Sequence, residues 1–107
     1  MDIEQLRRKI RNGQYDISFT HTEKLRRRKI EAETLEHVVI AGEVIESYPN
    51  DPRGPSCLIL GYAAANRPIH VVCGNLEEGR ILIITAYEPD PNEWEGGWKT
   101  RKGGTPE

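Results

Sequence analysis

Residues 56–87 read SCLILGYAAANRPIHVVCGNLEEGRILIITAY, in which two short polar connections separate three apolar runs. Each run has the length of a β-strand and is rich in isoleucine, valine and leucine. We therefore expect strands at 56–63, 68–74 and 80–87. The connections are too short to contain the helical crossover that joins parallel strands, so these strands are predicted to form antiparallel hairpins.

Helices and two further strands are predicted on the N-terminal side of these hairpins. Apolar residues recur at helical spacing in residues 3–11, and the Asn-Gly pair that follows is typical of a helix end. The remaining predicted elements are a strand at 15–19, a short helix through 24–28, a helix at 33–41 and a strand at 43–48. This order indicates an α+β domain with N-terminal helices and a mostly antiparallel sheet.

Length and composition favour one globular domain. The chain has 107 residues, of which 36% are hydrophobic and 30% are charged, enough for one core and too little for two. We expect the domain to span 1–98 and to be followed by a basic, frayed tail at 99–107. The N-terminus lacks the apolar run of a signal peptide, and no run is long enough to span a bilayer. A cytoplasmic protein with no membrane partner is predicted.

The cysteines and histidines do not suggest a metal site. Cys57 and Cys73 lie inside predicted strands, where free cysteine behaves as a small buried hydrophobic residue. Neither these cysteines nor His21, His37 and His70 fall at the spacings of zinc ligands. We therefore predict no metal and no cofactor.

Charge is distributed unevenly along the chain. Residues 1–29 carry nine Lys or Arg against four Asp or Glu, whereas residues 30–107 carry six against thirteen. A basic N-terminal third is typical of a surface that contacts phosphate backbones. The alternative is that a solvated helix carries many arginines with no ligand at all.

Polar residues interrupt two of the apolar strands. By strand alternation, His70 shares a face with Val72, and Thr85 and Tyr87 continue the face of Ile83. These are candidate functional residues. Each also has a structural explanation, because a strand histidine is often simply half-buried and threonine and tyrosine are good strand formers.

A second set of candidates lies in the N-terminal part of the chain. His21 occupies a predicted strand–helix junction, where its role could be limited to helix capping, and Arg26, Arg27 and Arg28 follow it. Metal-free RNA cleavage needs a base, an acid and cations at the phosphate. Histidine suits the first two roles and arginine the third. Because consecutive helical residues are 100° apart, only one or two of the arginines could reach one substrate.

A series of motifs carries a family resemblance. In chain order they are ISFTH at 17–21 with the arginines after it, GEVIESYP at 42–49, PSCLILG at 55–61, RPIHVV at 67–72, ITAY at 84–87, PDP at 89–91 and Trp94. From about residue 15 to Arg101 the chain resembles a bacterial and archaeal family of domains of unknown function that is commonly encoded beside small antitoxin genes. This family is placed in the RelE-like, barnase–EndoU-like fold. The resemblance implies helices packed on a curved, mostly antiparallel sheet of four to five strands.

The resemblance also implies a function. A toxin of a toxin–antitoxin pair is expected, acting as a metal-independent endoribonuclease on RNA, either free or on the ribosome, with a small antitoxin protein as its partner. On this hypothesis the catalytic residues are His21, Arg27, His70, Thr85 and Tyr87, with Arg28 as the alternative to Arg27 at the scissile phosphate. The RNA-binding residues are Arg26, Arg28, Lys99 and Arg101. His70 would act as base or acid, with His21 or Tyr87 as its complement.

Two other functions are compatible with the same residues. RelE-like proteins include gyrase poisons without nuclease activity, so the chain could be a non-catalytic toxin that binds a protein such as gyrase. It could also be an interaction module in which the histidines are structural. The three hypotheses differ in whether His70 is needed for activity, for folding only, or for neither.

Overall fold

The computed structural model describes residues 2–18, 22–52, 54–75 and 79–103 of the chain. Its elements are α1 (Ile3–Arg11), β1 (Tyr15–Ile17), α2 (Thr22–Arg27), α3 (Ala32–Ala41), β2 (Glu43–Tyr48), β3 (Ser56–Ala63), β4 (Arg67–Asn75) and β5 (Ile81–Tyr87). These bounds confirm the predicted order of helices and strands. Within the described ranges, no helix combines the length and the apolar character that crossing a bilayer requires.

The five strands form one open sheet in the order β1-β5-β4-β3-β2. Strands β2 to β5 are connected in sequence and pair antiparallel, which confirms the predicted hairpins. The short strand β1 pairs with β5 in parallel. A parallel pair is feasible here because most of the chain, including α2 and α3, separates these two strands. The prediction of a mostly antiparallel sheet is confirmed.

The helices cover one face of this sheet. Asp2 caps the N-terminus of α1, because its side chain accepts a hydrogen bond from the backbone N–H of Glu4, and the helix buries Leu6 and Ile10. Helix α3 packs directly on β3, where a Cβ atom added to Gly61 would lie 2.8 Å from Val38 Cγ1. The core between the helices and the sheet includes the free thiols of Cys57 and Cys73.

A β-bulge reverses the faces of β5 at its centre. Cys73 pairs with Ile83, whereas the preceding residue Val72 pairs with Thr85, so Ile84 is an extra residue on β5. One extra residue moves every later side chain to the other face. The prediction that Thr85 and Tyr87 continue the face of Ile83 is therefore wrong: Ile83 lies in the core under the helices, whereas Thr85 and Tyr87 lie on the opposite face with Val72 and His70.

The chain after β5 covers this opposite face. Residues 93–102, the C-terminal strap, form a narrow turn in which Trp94 and Arg101 make an antiparallel bridge. The N–H of Glu95 donates to the carbonyl of Thr100, and the N–H of Lys102 donates to that of Glu93, both at 2.8 Å. Trp94 is only 3% exposed, so this part of the chain packs back on the sheet.

Candidate functional site

His70 is the centre of the candidate site. It lies on β4 between Leu60 of β3 and Tyr87 of β5, on the face opposite the helices, and it is fully buried. Its Nε2 is 2.8 Å from the carbonyl oxygen of Trp98 in the strap, and its Nδ1 is 3.4 Å from the Tyr87 hydroxyl. Because a carbonyl oxygen only accepts, Nε2 carries the proton, and the bare Nδ1 accepts from Tyr87.

Burial keeps both members of this pair uncharged. Removal from water lowers the pKa of His70, although the hydrogen bond to Trp98 and the charge of Glu46 act in the other direction. Burial also raises the pKa of Tyr87 above its ordinary value. At neutral pH the pair is therefore a neutral imidazole that accepts a hydrogen bond from a neutral phenol.

The ring of Trp94 and the backbone carbonyl of Trp98 cover the imidazole ring on the side of the strap. The ring of Trp94 meets that of His70 edge-to-face at 4.5 Å between centroids, and the ring of Tyr87 meets it from the side at 5.4 Å. The backbone carbonyl of Trp98 supplies the polar contact. His70 itself has no contact with solvent, whereas its hydrogen-bond partner Tyr87 is half-buried.

A carboxylate–guanidinium pair lies next to the histidine. Glu46 on β2 accepts two hydrogen bonds from Arg101, from Nε and from Nη2, both at 2.9 Å, and a third from the hydroxyl of Tyr48. Arg101 also lies over the ring of Trp94, with its guanidinium carbon 4.7 Å from the centroid. The hydrogen bonds from Arg101 are the main reason that the pKa of Glu46 is lowered, and burial together with Glu46 raises the pKa of Tyr48 to about 12.

The structure separates the three arginines of α2 and the turn after it. Arg28 donates from Nη1 to the carbonyl of Ala86 at 2.6 Å, which places its guanidinium beside Tyr87. Arg26 forms an exposed ion pair with Glu23, and Arg27 is exposed. Of the three consecutive arginines at 26–28, Arg28 is thus the one that lies next to the His70–Tyr87 pair.

The other predicted residues are placed as follows. Lys99 Nζ is 2.9 Å from a carboxylate oxygen of Glu43, so both strap cations with predicted RNA contacts, Lys99 and Arg101, contact carboxylates of β2. Thr85 is half-buried on the same face as His70. His21 lies outside the described residues.

The sequence did not predict Glu46, Tyr48 and Trp94 as members of the candidate site. The signal that could have found the first two is the period of β2, which puts Glu46 and Tyr48 on one face of a strand. The contact of Trp94 with a histidine had no sequence signal. Among the described residues, no three His, Cys, Asp or Glu side chains lie close enough to hold a metal ion together.

A family model described as "Domain of unknown function (DUF4258)" matches residues 17–88 of the chain. This range begins in β1 and ends just after β5, so it contains His70, Thr85 and Tyr87 and ends before the strap. No curated protein and no solved structure matches the chain.

Proposed function

The chain belongs to the family described as Domain of unknown function (DUF4258), and on that premise we propose that it is a RelE-like toxin of a toxin–antitoxin pair that cuts RNA without a metal ion. The observation that supports this function best is the His70–Tyr87 pair, in which a bare imidazole nitrogen faces a phenol hydroxyl. Such a pair can accept a proton, and its half-buried member Tyr87 is partly exposed to solvent.

The proposed reaction forms a 2′,3′-cyclic phosphate. The ribose 2′-hydroxyl gives its proton to the Tyr87 oxygen while Tyr87 passes its own proton to Nδ1 of His70. The 2′-oxygen then bonds to phosphorus and the bond from phosphorus to the 5′-oxygen breaks. The 5′-oxygen leaves with a proton from an acid, and we assign this role to His21.

Charge around the pair suits both parts of this step. The imidazolium that forms on His70 is stabilised by the Trp98 carbonyl and by the carboxylate of Glu46. Arg28 lies on the other side of Tyr87, where its guanidinium would face the negative charge that gathers on the phosphate oxygens. The exposed Arg26 and Arg27 extend this positive surface along α2.

The acidic body of the chain bears on how RNA is held. Nucleic-acid affinity rises with the number of neutralised phosphates, and residues 30–107 carry more than twice as many acidic as basic side chains. We therefore favour an RNA substrate that a larger particle such as the ribosome positions. A small antitoxin protein would bind the toxin when it is silent.

The test is induced expression followed by sequencing of new RNA 5′ ends. Wild type is expected to arrest growth with fresh cuts, and Tyr87→Phe, which removes one hydroxyl, is expected to abolish them. His37→Gln is the matched control, because His37 is exposed on α3 away from the site. Arrest with undiminished cuts in Tyr87→Phe would contradict the proposed proton relay, and undiminished cuts in His21→Ala would contradict the role of His21 as the acid.

One observation favours a second function, an interaction module with structural histidines. His70 is fully buried and both of its ring nitrogens already have partners inside the chain. In that case His70→Gln lowers the melting temperature, whereas Tyr87→Phe has no phenotype and no RNA is cut. Growth arrest with intact RNA and damaged DNA would instead indicate a gyrase-type toxin.

A further inference from the structure

The C-terminal strap is attached to the sheet in an unusual way. The hydrogen bonds between backbone groups that its described residues make have both partners inside the strap, or have the carbonyl of Asp90, three residues before it, as the acceptor. Its polar contacts with the sheet are made by side chains: Arg101 with Glu46, Lys99 with Glu43, and the ring of His70 with one strap carbonyl. A segment attached in this way can leave the sheet without breaking any strand ladder.

The carbonyl that His70 binds belongs to a residue with a strained backbone. Trp98 has a φ of +63°, in the left-handed region that residues with a side chain adopt at an energetic cost. Such conformations persist only while the surrounding contacts hold them. The contacts of the strap therefore help to hold Trp98 in this conformation.

The covered face is the one that carries the candidate chemistry. The strap lies over His70 and engages Glu46, and both residues fall inside the range that the family model matches, whereas the strap follows that range. While the strap is closed, Nε2 of His70 is occupied and the Glu46 carboxylate is neutralised by Arg101.

We propose that the strap is a removable cover: residues 93–102 leave the sheet as a unit, while the helices and the sheet stay folded, and this movement uncovers His70 and frees the Glu46 carboxylate. The bidentate pair and the stacking of Arg101 on Trp94 hold the cover closed. A role of this movement in regulating RNA cutting rests on the proposed function. The movement of the strap does not depend on that function.

Two probes report the movement without any activity. Both tryptophans of the chain, Trp94 and Trp98, lie in the strap, so acrylamide quenching of tryptophan fluorescence measures strap exposure. Modification of His70 by diethyl pyrocarbonate, quantified by mass spectrometry of its peptide, measures uncovering of the ring. Circular dichroism of the same samples shows whether the helices and the sheet remain folded.

The variant is Arg101→Gln, and the matched control is Arg80→Gln. Arg80 makes an equally bidentate pair with Asp16 at the other edge of the sheet, with a similar exposed fraction of 41% against 54% for Arg101. Loss of the pair and of the cation–π contact is expected to raise the His70 modification rate about tenfold. Arg80→Gln should leave it unchanged. If Arg101→Gln does not fold, Lys99→Gln is expected to give a smaller rise in the same direction.

Each outcome separates the cover from the proposed function. A His70 modification rate that is the same in all folded variants, or that rises only when the whole chain unfolds, overturns the cover, even if RNA is cut. A selective rise with slower RNA cutting supports both, because the proposed reaction uses the Trp98 carbonyl that the closed strap holds on Nε2 of His70. A selective rise in a chain that cuts no RNA in any form supports the cover and rejects the ribonuclease.

Discussion

Nε2 of His70, on the central strand β4, donates a hydrogen bond to the carbonyl oxygen of Trp98, twenty-eight residues later, over 2.8 Å. This bond joins the end of the chain to the middle of the sheet, and it fixes which imidazole nitrogen carries the proton. Nδ1 is thereby left bare toward Tyr87. The same contact therefore attaches the C-terminal strap to the sheet and sets which nitrogen of His70 can accept a proton.

Removing the His70 ring should destabilise the protein. His70→Ala leaves a cavity beneath Trp94 and leaves the Trp98 carbonyl without its donor. Together these effects are expected to lower the free energy of unfolding by about 2–4 kcal/mol. Urea denaturation of wild type and His70→Ala measures this difference. His37→Ala, on an exposed helix face, should change it by less than about 0.5 kcal/mol. Equal effects of the two substitutions would show that the buried contacts of His70 contribute little to folding.

Stability should fall in mild acid because of the same residue. Burial lowers the pKa of His70 below its ordinary value of 6.5, so below that pH the unfolded chain binds a proton that the folded chain refuses. The free energy of unfolding therefore has its full value above pH 6.5, and it declines as the pH falls toward the lowered pKa of His70. Urea denaturation at pH 7.5 and 5.5 measures this decline. In His70→Gln the decline in this window should shrink, whereas persistence of the full wild-type slope would assign it to other groups.

The sequence predicts the elements of this fold well because each one buries an unambiguous apolar pattern. The helix with Leu6 and Ile10 has apolar residues at helical spacing, and β3, β4 and β5 are apolar runs of strand length. The bulge at Ile84 could not be read in this way. An inserted residue leaves the string of apolar letters in β5 unbroken and changes only which face each side chain takes.

The site was predictable by residue type and not by arrangement. His70 and Tyr87 were singled out as polar residues in apolar strands, and the register does bring them opposite each other. The choice of Arg28 over its neighbours depends on the turn after α2, and the contacts of Glu46 depend on a strap fifty-five residues later in the chain. Such long-range contacts are determined by tertiary packing, which local periodicity does not encode.

The close packing of α3 on β3 makes a separate prediction about Gly61. A Cβ added there would lie 2.8 Å from Val38 Cγ1 and 2.9 Å from two backbone atoms of the same residue, so the helix must move away. Gly61→Ala is expected to lower the free energy of unfolding by about 1–3 kcal/mol. Gly96→Ala is the control, because an added Cβ there meets no atom within 4 Å. Thermal unfolding of the two variants checks the difference, and a melting temperature of Gly61→Ala as high as that of Gly96→Ala would contradict it.

The sharpest prediction concerns the hydroxyl of Tyr87. If this oxygen relays a proton from the RNA to His70, Tyr87→Phe should reduce the rate of RNA cleavage by roughly 10²–10⁴-fold, the usual contribution of a general base. The substitution keeps the ring and its edge contact with His70 and removes one long hydrogen bond, so stability should change by less than about 1.5 kcal/mol.

Purified wild type and Tyr87→Phe, assayed on RNA with and without ribosomes, separate the two effects. Tyr62→Phe is the matched control, because Tyr62 is the exposed tyrosine at the end of β3 and should keep full activity. Loss of cleavage in Tyr87→Phe with an unchanged melting temperature would place the hydroxyl in the reaction. Cleavage at the wild-type rate would mean that His70 and Tyr87 form a structural pair and that the proton of the 2′-hydroxyl goes elsewhere.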